Sequence, residues 1–61
     1  MFFSIGDLVS RNSYNNDIVF RIVIIKNNIA ILESINNLII ADSNIDDLRK
    51  EDYIEQNNYK K

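Results

Sequence analysis

Acid and base chemistry is the first possibility that the residue types raise, through Asp42, Asp46-Asp47 and Glu51-Asp52 in the last third of the chain. A general acid or base needs a perturbed pKa inside a cleft. Adjacent carboxylates on a short turn point in different directions into water, so these five are expected to be solvated or to cap a turn. The stretch from Asp42 to Asp47 lacks the glycine and the terminal glutamate of an EF-hand loop, and no metal is expected. Ser10, Ser13 and Ser34 are possible nucleophiles without a base. The chain has no histidine and no cysteine, and no lysine stands at a recognisable spacing from a serine, so acyl transfer within the chain is not expected. With one glycine there is no phosphate cradle, and no cofactor is expected.

Binding chemistry has better material. Tyr14, in a polar loop, and Tyr53, near a predicted fifth strand, could line a peptide groove. The competing reading makes Tyr14 a lid over a core filled by Phe3 and Phe20. Arg11 and Arg21 read mainly as strand charges, either of which could meet an acidic partner. The candidate binding residues are therefore Arg11, Tyr14 and Tyr53, and the expected partner is a protein. Nucleic acid is not expected, because the net charge is −2 and the seven Lys and Arg are scattered, with pairs only at Arg49-Lys50 and Lys60-Lys61. Met1-Phe2-Phe3-Ser4 has no basic residue to open a secretory signal, and Asp7 interrupts the apolar stretch. No apolar run outlasts that from Ile22 to Ile25, where a bilayer helix needs about 20 residues. A soluble intracellular protein with no membrane partner is the expectation.

The elements that must position these residues are short β-branched runs separated by turn residues. Gly6-Asp7 reads as a turn, since glycine accepts positive φ and aspartate bonds its own backbone. A strand from Leu8 to Arg11 follows, then a polar loop from Asn12 to Asp17 that carries Tyr14 and is the most exposed candidate for function. The next strand, Ile18 to Lys26, places Ile18, Phe20, Ile22 and Ile24 on one face and Val19, Arg21, Val23 and Ile25 on the other. Both faces are largely apolar, as befits a strand at a bend or one covered by a neighbour such as Phe2-Phe3. Asn27-Asn28 makes a two-residue hairpin to a strand from Ile29 to Ser34. Asn36-Asn37 repeats that turn before a strand from Leu38 to Ala41. Asp42 or Ser43 caps a short helical turn, in which Ile45 and Leu48, three residues apart, plug one end of the fold. A fifth strand near Leu48 to Tyr53 completes the set.

Sixty-one residues hold one domain at most, and a chain of this size buries only about 60% of its unfolded surface. Without cysteine, stability rests on apolar packing and backbone pairing, for which 46% hydrophobic residues suffice narrowly. The reading is all-β, a small SH3-like barrel of about five strands with one short helical turn. It occupies residues 1–53, and residues 54–61 form a polar tail or linker. The abundance of Asn, Ile and Lys is ascribed to an AT-rich coding sequence, and the asparagines are given no collective role.

The segment Phe3-Ser4-Ile5-Gly6-Asp7-Leu8-Val9-Ser10-Arg11-Asn12-Ser13-Tyr14, continuing through Asp17-Ile18-Val19-Phe20-Arg21-Ile22, resembles the start of the YabG family of sporulation-specific proteases. Ile29-Ala30-Ile31-Leu32, then Leu38-Ile39-Ile40-Ala41-Asp42-Ser43 and Asp47-Leu48, follow in the family's order, so the resemblance covers about residues 2–50. It departs at Asn27-Asn28, where relatives carry a longer hairpin loop, and in the tail. The family proteins are several times longer and are regarded as cysteine proteases acting on spore coat and related proteins. The resemblance therefore implies a non-catalytic N-terminal accessory domain, expressed alone, with the protease region and its catalytic residues outside the chain. It further implies coat protein substrates or the protease domain itself as partners, in the sporulating mother cell or developing spore.

Overall fold

The computed structural model describes residues 2–51, so the expected tail and Tyr53 lie outside the described residues. Five strands alternate with tight turns: β1 (Leu8–Arg11), β2 (Phe20–Lys26), β3 (Ile29–Ser34), β4 (Ile40–Asn44) and β5 (Leu48–Lys50). Two 3-10 turns, Asn12–Tyr14 and Ile45–Asp47, precede β2 and β5. All neighbours are antiparallel, in the order β4-β3-β2-β1-β5.

The fold is mostly β, as its β-branched runs require, but the sheet is not closed into a barrel: β4 and β5 are its two edges and do not pair. Chain connectivity nevertheless forces it to curl. From Asn44 to Leu48 the backbone takes four steps of about 3.8 Å at most, whereas the edges of a flat five-stranded sheet stand about 19 Å apart. The second 3-10 turn can bridge the edges only if the sheet wraps toward itself. A backbone bond from Ile45 N–H to the Asn28 carbonyl (2.8 Å) ties that turn to the β2-β3 hairpin.

Inside the curl lie Val9, Phe20, Ile22, Ala30, Leu32 and Leu48, with Phe3, Ile18, Ile25, Ala41 and Ile45 packed against them. Leu48 is thus part of the core and Ile45 packs against it, as their spacing predicts, although Leu48 opens β5 and is not in the turn. The expectation for β2 changes in its second half. Ile22 pairs with Leu32, but Ile24 pairs with Ile31, so a bulge at Val23 shifts the alternation by one residue. Phe20 and Ile22 point inward, Ile24 is turned out to 52% exposure, and Ile25 takes the inward place opposite Ala30. Two apolar faces on one strand are what such a bend requires. Of the two N-terminal phenylalanines only Phe3 covers the core, Phe2 being 88% exposed.

β4 starts two residues later than expected. The Ser34 hydroxyl accepts bonds from the Leu38 and Ile39 N–H groups (3.2 and 3.0 Å) and donates one to Asn36 Oδ1 (2.6 Å), which holds residues 35–39 in the loop. Asp42, Ser43 and Asn44 are consequently strand residues opposite Ile31, Ala30 and Ile29, and not helix caps. Asn44 flanks the second 3-10 turn without a side-chain capping bond.

The asparagines have the collective role that composition alone did not suggest. Asn15, Asn16, Asn27 and Asn37 all adopt positive φ, between 53° and 64°. In a chain with a single glycine they serve the left-handed corners, which asparagine tolerates better than other side chains. That glycine, Gly6 (φ 96°), sits third in a turn closed by Asp7 N–H to the Ser4 carbonyl, with Asp7 Oδ2 accepting from Ser4 N–H.

Candidate functional site

The loop between β1 and β2 is exposed from Asn12 to Asn15, as expected, and is fastened at three points. It begins with the 3-10 turn Asn12–Tyr14 and reverses through the left-handed pair Asn15 and Asn16. The Asn16 N–H returns to the Arg11 carbonyl (3.0 Å), and Asn15 N–H to that of Asn12 (3.1 Å). Ser13 joins it to the second 3-10 turn through both oxygens of Asp47, backbone N–H to Oδ1 (3.0 Å) and hydroxyl to Oδ2 (2.6 Å).

This fastening sets Tyr14 beneath Arg11. The guanidinium carbon lies 3.8 Å from the centroid of the Tyr14 ring and 5.0 Å from that of Phe20, the largest core side chain. Arg11 pairs across the sheet with Leu48, so its side chain leaves β1 on the core side and runs over the end of the apolar interior. Two of the three candidate binding residues, Arg11 and Tyr14, are therefore in contact; the third, Tyr53, is outside the described residues. Tyr14 is 54% exposed. Arg21 stands apart, on the outer face of β2 opposite Glu33.

On the other side of β1, Ser10 is completely buried. Its hydroxyl donates to Glu51 Oε2 (2.6 Å) and accepts from Asn16 Nδ2 (2.8 Å), which also bonds Asn12 Oδ1 (3.0 Å). Arg49 completes the chain of bonds, Nε at 2.9 Å and Nη2 at 2.7 Å from the same carboxylate oxygen. The Ser10 hydroxyl and, after it, the Arg49 guanidinium hold the Glu51 carboxyl below the usual glutamate range, against the opposing effect of burial. Glu51 and Asp47, expected to be solvated or to cap a turn, hold Ser10 and Ser13. Their partners lie 41 and 34 positions away, beyond any local spacing rule.

Among the described residues no group of three or more Asp and Glu is placed to hold a metal ion. An apolar depression between the first loop and the β3-β4 loop is lined by Ile18, Val19, Ile35 and Ile39, with Asp17, Ser34 and Asn36 at its polar side. Among the described residues no helix is long and apolar enough to cross a membrane.

Comparison with known proteins gives this curled antiparallel sheet a family. The profile described as YabG peptidase U57 matches residues 4–61, and the chain belongs to that family. It is 47% identical over 53 residues to the sporulation-specific protease YabG of Bacillus subtilis (strain 168). That match takes in 79% of this chain and 18% of the relative, so the chain spans less than a fifth of the curated protein it resembles. No solved structure matches it.

Proposed function

We propose that this chain is a non-catalytic accessory module of a YabG-type cysteine protease, positioning the protease on spore coat proteins or their partners in the sporulating mother cell or developing spore. The observation that carries the reading is the Arg11 and Tyr14 pair: a partly exposed cation and a half-exposed aromatic, fixed on a rigid sheet, in a family of sporulation proteases. Neither cysteine nor histidine is present to serve as nucleophile or base, which supports contact over bond cleavage as its task. Deleting the module from a full-length YabG-type protease tests this. Coat protein processing should fall while cleavage of a short unstructured peptide persists; unchanged coat processing would refute the proposal.

A second reading has its own observation. On the outer face, Ile24, Ile29 and Ile40 are 52%, 41% and 66% exposed around the partly covered Ile31. Such a face suits docking on the protease domain or self-association. Co-purification with a separately expressed protease domain, and sedimentation at several concentrations, distinguish these two.

A further inference from the structure

We propose that Arg11 and Tyr14 form a receptor for one carboxylate, an aspartate or glutamate side chain presented by the partner protein; this deepens the accessory reading above and rests on it. The three cations near the β1-β5 pair are treated differently by the fold. Arg49 has Glu51 at 2.7 Å and Lys50 has Asp7 at 3.4 Å, whereas Arg11 has no ion pair among the described residues. Its Nε is buried and has no hydrogen-bond acceptor among the described residues. Buried donors in folded proteins are nearly always paired, so an unpartnered guanidinium nitrogen marks a place where an acceptor is missing.

The shape of the site says which acceptor. Tyr14 and Phe20 both lie within cation-π reach of the guanidinium carbon, and contacts over its flat face leave the N–H groups around its edge for a second partner. A carboxylate matches that edge with two parallel bonds. Arg11 is only partly covered and Tyr14 is 54% exposed, so the pair stands at the surface, where a partner's side chain can meet it. Little ordering is left for binding to demand, because Asn16 and the Ser13 to Asp47 bonds already fix the loop. A nucleic acid would need several cations along a track. Here Arg49 and Lys50 are already held by Glu51 and Asp7, which leaves Arg11 as the one cation of the three without an ion pair among the described residues, next to a turn bearing Asp46 and Asp47, in a chain of net charge −2.

The test is a nitrogen-15 NMR titration of the 61-residue chain with the blocked pentapeptide acetyl-Ala-Glu-Leu-Glu-Ala-amide and with its glutamine counterpart. The Arg11 Nε–H and the Tyr14 signals should move with the glutamate peptide alone, and Arg11→Met should weaken binding about tenfold, with Arg11→Lys between the two. If Arg11→Met does not fold, the wild-type titration still decides: binding should weaken as sodium chloride rises from 20 to 500 mM, on the order of one Debye-screened contact. Equal shifts with the glutamine peptide, an unmoved Arg11 Nε–H, or shifts caused by a short single-stranded oligonucleotide and not by the peptide would overturn the proposal. Should deletion of the module abolish coat processing while Arg11 ignores the peptide, the accessory reading stands and this inference fails.

Discussion

The Ser10 hydroxyl and the Glu51 carboxylate meet at 2.6 Å across 41 positions of chain, joining the first strand to the residue that follows the last. Ser10 is wholly buried, so this bond satisfies a hydroxyl that water cannot reach. Ser10→Ala should cost about 1 kcal/mol, and Glu51→Ala more, since it strands both the Ser10 hydroxyl and Arg49. Urea denaturation followed by circular dichroism measures both.

The same contact sets an acid response. Glu51 titrates lower in the folded chain than in the unfolded one, mainly because of Ser10 and then Arg49. The unfolded state therefore takes up the proton first as pH falls. The contribution of Glu51 is complete above its ordinary pKa of about 4.3 and disappears as pH drops through the lowered folded value. Glu51→Gln should flatten stability against pH between about 5 and 3. An identical slope for the variant and the wild type would contradict this.

The bulge at Val23 predicts unequal tolerance of two neighbouring isoleucines. Ile24→Lys should change stability by roughly 0.5 kcal/mol or less, because Ile24 faces solvent. Ile25→Lys places a charge against the core and should cost more than about 2 kcal/mol. Comparable losses at both positions would mean that β2 alternates without interruption.

Left-handed asparagines predict the sign of glycine and alanine substitutions. Asn37→Ala or Asn15→Ala should destabilise by about 1 kcal/mol through the positive φ alone, while Asn27→Gly should be close to neutral. Thermal midpoints of the three variants suffice for the comparison.

Core truncation should be severe in a domain this small. Ile22 and Leu32 face one another, both fully buried, and replacing either by alanine should cost about 2 to 5 kcal/mol. Such a loss consumes most of the margin of a 61-residue chain, so the hydrogen-exchange protection of β2 and β3 should collapse.

Much of this architecture could be read from residue order. β1 and β3 occupy the runs that the turn residues bound, Asn27-Asn28 makes the hairpin that its chemistry allows, and Ile45 and Leu48 meet the core as their spacing requires. What escaped depends on partners far along the chain. The bulge at Val23 is fixed by register with β3, and β4 begins at Ile40 because the Ser34 hydroxyl captures two backbone N–H groups beyond it. The expected barrel does not close for a similar reason: residue order marks the number of strands but not whether the edges β4 and β5 bond, and they do not. At the candidate site, Arg11 and Tyr14 were recognisable as types. Their stacking was not, since it follows from a loop pinned by Asp47, 34 positions away from Ser13.

The Glu51 N–H bonds the Leu8 carbonyl at 2.8 Å, so the way into the sheet and the way out of it lie side by side. A unit with adjacent entrance and exit hangs from a single point, like a bead on a doubled thread. Anything that pulls on one end of it therefore loads the same corner of the sheet as the other end.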